Sequence, residues 1–169
     1  MTPGIRNLAL TAHVTTSVGW LGAVLVFLVL AVVGLRSGDP QLARGAYLAM
    51  GVTGTYVIVP LCLASLATGI VQSLASKWGL FQHYWVLIKL VLTVLATGLL
   101  FLHTRVIRQM AEIAASGALS GAEQRGMRVQ LVFDASAAMA ILIVATVLAV
   151  YKPRGVTRLG RRKQSADRL

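Results

Sequence analysis

Charge is scarce in this chain: only 12% of its 169 residues are Asp, Glu, Lys or Arg. An average soluble domain carries about twice that share, so this sequence is not built to present an aqueous surface. Cysteine occurs once, as Cys62, which excludes an intramolecular disulfide and any paired-cysteine motif. There is no Gly-rich loop after a strand to cradle a phosphate and no HExxH pair, so neither a nucleotide fold nor a zinc peptidase is indicated. The five Met residues form no clustered ladder, and a soft thioether site for Cu(I) is not favoured.

What the chain has instead is apolar length. Hydrophobic residues make up 57% of it and the mean hydropathy is +0.77. A bilayer-spanning helix needs about 20 mainly apolar residues, and four runs meet this: Leu8 to Leu35, Ala46 to Leu74, Tyr84 to Leu102 and Val129 to Tyr151. The fold class expected is an all-α integral membrane protein, a four-transmembrane-helix bundle occupying residues 1–155, followed by a basic, flexible tail at 156–169. The first run is too long for the core of a cleavable signal and shows no small-residue cleavage site, so it counts as a span. Between runs three and four, "RQMAEIAASGALSGAEQRGMR" prolongs the third helix and then turns at Gly117 or Gly121, with Ser120 and Glu123 at a capping-box spacing.

The net charge of +11 lies in loops and in the tail "KPRGVTRLGRRKQSADRL". Juxtamembrane Lys and Arg are topology signals and contacts to anionic lipid, so the expected partner is the bilayer and not nucleic acid. Four spans bring the amino terminus, the loop between spans two and three and the tail to one face, here face A; the other two loops form face B. Basic residues are more numerous on face A, which makes it cytoplasmic, while its loop "SKWGLFQHYW" reads as an aromatic interfacial belt.

Two polar residues interrupt the apolar runs in one layer. At a rise of about 1.5 Å per residue, His13 and Lys89 each lie about five residues inside the face A boundary. Lys89 has two ordinary explanations, snorkelling to face A or pairing with Asp134. The second would need a vertical offset on the order of 10 Å in a core of about 30 Å, because Asp134 starts from the opposite face. A neutral Lys amine and a His imidazole facing each other from neighbouring helices could hold haem iron axially; a lone membrane His is otherwise a packing residue. Trp20, two turns beyond His13, and Trp85, one turn before Lys89, are their aromatic neighbours. Ser65 and Gly69 in the second run either permit close helix packing or make room for a flat macrocycle. His83 lies at the face A boundary, as an interfacial His or else a rival ligand or proton relay. His103 shares the face B half with Asp134, which predicts a hydrogen-bonded pair, structural or part of a proton path.

Taken in order, His13, Trp20 and Gly22, Pro60 and Gly69, Trp85, Lys89 and His103, and Lys152 with Pro153 resemble the motif series of the HemJ-type membrane protoporphyrinogen IX oxidases, and more distantly the copper-resistance D-like membrane domains. The resemblance runs through nearly the whole chain. It implies a bacterial cytoplasmic-membrane protein that binds haem b through His13 and Lys89, with Trp20, Trp85, Ser65 and Gly69 around the cofactor. It also implies a tetrapyrrole substrate and a membrane quinone as electron acceptor. Where the oxidases carry an aromatic and basic cluster after span one this chain has "LRSGDP", and in place of their Asn-Glu-x-Pro it has "VFDASA". The resemblance therefore supports haem binding more than porphyrinogen oxidation. A copper or small-solute transport module and a haemless accessory subunit are the alternatives, and a homo-oligomer stays open.

Overall fold

The computed structural model describes residues 2–75, 80–117, 119, 122–153 and 155–157. Its elements are α1 (Pro3–Arg36), α2 (Pro40–Thr53), a π-helical turn (Gly54–Ile58), α3 (Val59–Ala75), α4 (Tyr84–Ser116) and α5 (Ala122–Tyr151). Among the described residues four helical segments are long and apolar enough to cross a membrane: α1, α2 through α3, α4 and α5. Ser120, the partner of Glu123 in the expected capping box, lies outside the described residues, as do the 76–79 segment, Arg154 and the tail beyond Thr157.

Local chemistry sets the helix ends. Pro3 and Pro40 open α1 and α2 at positions where a missing N–H costs nothing. Asp39 caps α2 by accepting from the Gln41 amide at 2.9 Å. Gly117, at φ 78°, closes α4 in the left-handed conformation that glycine adopts without penalty, at one of the two expected turn positions. Inside the second span, Pro60 cannot donate to the carbonyl four residues back and its ring crowds that carbonyl. The wide turn just before it relieves this, and the Val59 amide reaches back five residues to Gly54 O.

The spans form a ring. α1 packs on α2 and α3 on one side and on α5 on the other, and α4 packs on the same two neighbours. Among the described residues α1 and α4 share no backbone contact, so the expectation that His13 and Lys89 stand on neighbouring helices is corrected: their helices are diagonal partners facing across the bundle. The core runs through Trp20, Phe27, Tyr47, Met50, Met110 and Leu131. At face B, the Tyr47 ring lies on Gly34, with the Arg128 guanidinium 5.5 Å from the ring centroid. The outer surface is apolar as well, with Phe133 and Leu102 each 72% exposed, the inverse of a water-soluble surface.

At face A the chain after α5 is tied down. Gly155 O accepts from the Tyr84 amide at 3.3 Å and the Thr157 amide donates to Gln82 O at 2.9 Å. The Thr157 hydroxyl also donates to Phe81 O at 2.6 Å. The first residues of the expected tail are thus docked beside the start of α4.

Candidate functional site

His13 sits in a polar knot between α1 and α3. Its Nδ1 is 3.2 Å from Ser65 O and 3.2 Å from Thr68 Oγ1. A carbonyl can only accept. The Thr68 hydroxyl proton is already given to Ala64 O at 2.6 Å, so Thr68 Oγ1 also accepts. Both contacts therefore require a proton on Nδ1, which leaves Nε2 of the neutral ring with its lone pair. Nε2 has no hydrogen-bond partner among the described residues. One turn further along, Ser17 and Ser65 share a hydroxyl hydrogen bond of 2.8 Å.

Gly69 makes this seating possible. A Cβ there would stand 3.0 Å from His13 Cε1, so the small-residue face of the second span makes room for the imidazole. Ser65, which is buried, contributes a carbonyl and a hydroxyl to the same knot. The two residues singled out in the second span do meet His13, as packing and hydrogen-bonding partners.

Lys89 is half-buried on α4. It stands near enough to His13 to interact with it electrostatically, and near Lys152 in the same way. Its ammonium makes no hydrogen bond or ion pair with a described residue. Asp134 is engaged elsewhere, so the Lys89–Asp134 pairing weighed from the sequence does not form. Trp85 is buried one turn before Lys89. Trp20 is buried too, but it faces a different part of the bundle.

That part is a cavity of about 140 Å³ between α1, α4 and α5, lined by Trp20, Phe27, Ala96, His103, Asp134 and Ala138 among others. His103 Nε2 lies 3.3 Å from Asp134 Oδ2, the partnership expected from sequence. The contact is close but off the hydrogen-bond direction, and Oδ2 is buried without an aligned partner. His103 Nδ1 donates to Leu99 O at 2.8 Å. Between α3 and α4, Cys62 Sγ is 3.1 Å from Thr97 Oγ1. The Thr97 proton goes to Thr93 O at 2.7 Å, so the thiol is the donor, and Cys62 is a buried packing residue.

The arrangement offers one imidazole nitrogen on α1 and one amine on the diagonal helix α4, close enough to interact electrostatically. No group of three His, Cys, Asp or Glu residues converges among the described residues, so a metal site built from these side chains alone is not seen there. Sequence reasoning missed Thr16, Ser17 and Thr68. The available signal was spacing: Thr16 and Ser17 follow His13 by three and four residues, and Thr68 and Gly69 follow Ser65 in the same way, each set forming one helix face. In comparisons with known proteins, no family model, no curated protein and no solved structure matches this chain.

Proposed function

We propose that the chain is an integral membrane bundle that binds haem b between His13 and Lys89, a redox protein resembling the HemJ-type oxidases. The observation that carries this reading is the commitment of the His13 Nδ1 proton to Ser65 O and Thr68 Oγ1. Metal-ligating histidines hold their second nitrogen to a carbonyl or carboxylate in this way, which fixes the ring and frees the other nitrogen. Lys89 would add a second nitrogen donor from the diagonal helix, half-buried and without a hydrogen bond or ion pair to a described residue. α3 packs closely on α1 but less closely on α4 than α2 does, so the seam between α3 and α4 is the looser one.

In this reading His13 and Lys89 would hold the haem, which would supply one-electron chemistry at a potential tuned by the nitrogens that hold it and by dry surroundings. The residues of the chain hold and orient. Ser65 and Thr68 fix the His13 ring, Gly69 seats it, and Trp85 excludes water beside Lys89. A tetrapyrrole substrate is the class that the family resemblance favours.

The deciding measurement is a reduced-minus-oxidised absorbance spectrum of protein purified from membranes without added haem. A haem b spectrum that is lost in His13→Ala and altered in Lys89→Ala is expected. A colourless, folded preparation that also fails to take up haemin refutes the reading. Complementation of a bacterium lacking protoporphyrinogen oxidase then tests the substrate: rescue that depends on His13 and Lys89 is expected if porphyrinogen oxidation is retained, and haem-loaded protein that cannot rescue excludes it.

A further inference from the structure

The cavity between α1, α4 and α5 is a second polar place in the bundle, separate from the His13–Lys89 layer. Lys89 and His103 are fourteen residues apart on α4, about 20 Å along the helix axis. Apart from His103 and Asp134 no titratable side chain lines the cavity, and its walls are apolar, with Trp20 and Phe27 contributed by α1. Its volume, about 140 Å³, suits one small ring, since an engineered cavity of about 150 Å³ accepts benzene. A macrocycle is several times too large.

His103 and Asp134 present two acceptors side by side. The His103 Nδ1 proton is given to Leu99 O at 2.8 Å, so the neutral ring keeps a lone pair on Nε2. Asp134 Oδ2 is 3.3 Å from that nitrogen, yet it is buried without an aligned hydrogen bond. A buried polar atom left in this way is costly, and an unbalanced carboxylate in apolar surroundings is more so. A proton held by the pair makes it neutral but does not correct the alignment.

A ligand that removes both defects carries one positive charge and at least two hydrogens on a single atom, one for Oδ2 and one for Nε2. An alcohol or a phenol has one such hydrogen and no charge. A primary ammonium has three hydrogens and the charge, and the ring or alkyl group attached to it meets the apolar walls. Aromatic side chains such as those of Trp20 and Phe27 further favour a cation that approaches their faces.

We infer that this cavity binds a small lipophilic primary amine as its ammonium ion, the nitrogen between Asp134 Oδ2 and His103 Nε2 and the apolar part beside Trp20. The ammonium takes the place of the proton held by the pair, so each amine bound releases a proton to water and the cavity stays neutral. The site does not depend on what His13 and Lys89 hold.

The test uses full-length protein in nanodiscs and benzylamine as the probe, titrated calorimetrically at neutral pH against empty nanodiscs. The haem spectrum is recorded on the same sample, so that the two readings succeed or fail separately. Saturable binding is expected. Benzyl alcohol, which has the same shape without the charge, should bind about tenfold more weakly, as loss of a charge-assisted hydrogen bond implies. Asp134→Asn, which keeps the size of the side chain, should weaken benzylamine by a similar factor and leave benzyl alcohol unchanged. Ala138→Phe, which fills the cavity, should abolish binding of both. On the unaltered chain, titrations in phosphate and in Tris, whose heats of ionisation differ, should give about one proton released per amine bound. Heat that never saturates, equal binding of the alcohol, a benzylamine affinity unchanged in Asp134→Asn, or binding without proton release would each overturn the inference.

Discussion

Replacing Gly69 with alanine tests the seating of His13 directly. The added Cβ would stand 3.0 Å from Cε1 and 3.4 Å from Nδ1 of the ring, so the imidazole must give way by a few tenths of an ångström. It is held to the same helix by contacts of 3.2 Å to Ser65 O and Thr68 Oγ1, already at the long end for N–H···O bonds, which a displaced ring would lengthen. Interhelical hydrogen bonds in membrane bundles contribute about 0.6 kcal/mol each, so weakening two costs about 1 kcal/mol, and overpacking adds about 1 kcal/mol more. Removing a glycine from a helix interior returns about 1 kcal/mol. Gly22→Ala receives that gain too, but its Cβ meets nothing within 4 Å. The difference between the two variants, about 2 kcal/mol, therefore isolates the His13 contact. Cys62 provides the assay, being the only cysteine and 0% exposed: its labelling by a thiol-reactive fluorophore on heating reports unfolding. Gly69→Ala should unfold at a lower temperature than Gly22→Ala. Equal midpoints would refute the seating.

Gly34→Ala should destabilise still more, since its Cβ would fall 2.6 Å from Cζ of the buried Tyr47 ring; a loss of about 1–3 kcal/mol is expected, read by the same Cys62 assay. Ending the chain after Thr157 should leave the unfolding midpoint unchanged, whereas ending it after Lys152 removes the contacts of Gly155 and Thr157 to the 81–84 segment and should lower it. Asp39→Ala removes the side-chain cap on the Gln41 amide and should cost about 1 kcal/mol. A cysteine placed in the tail should resist an impermeant maleimide in intact cells if face A is cytoplasmic; prompt labelling reverses the orientation.

The four spans were legible because hydropathy responds to length and composition, which is what a bilayer demands of a helix. The helices reach beyond these apolar runs: α1 begins at Pro3, the second helical segment at Pro40 and α5 at Ala122, because backbone hydrogen bonding continues into polar sequence once a cap such as Asp39 is available. Counting residues gives His13 and Lys89 an expected common layer but not the diagonal placement of their helices, because a helix that is apolar all round has no periodic stripe to say which face meets which neighbour. The same blindness hid the cavity: Trp20 is in phase with His13 along α1, yet the ring of helices places it against α4 and α5. The His103–Asp134 pair was readable because two rare polar residues shared one half of the bundle.

The π turn at Gly54–Ile58 acts as a phase shifter within the second span. Geometrically it is one surplus residue in an otherwise continuous helix, and each residue of an α-helix advances the azimuth by about 100°. Everything beyond it is rotated by that angle relative to an uninterrupted helix. The face B half can therefore aim Tyr47 and Met50 into the core while the face A half independently aims Ser65, Thr68 and Gly69 at His13. Two recognition surfaces that a single helical phase could not both satisfy are thus carried on one span, and the bundle's packing at one end is uncoupled in register from its polar site at the other.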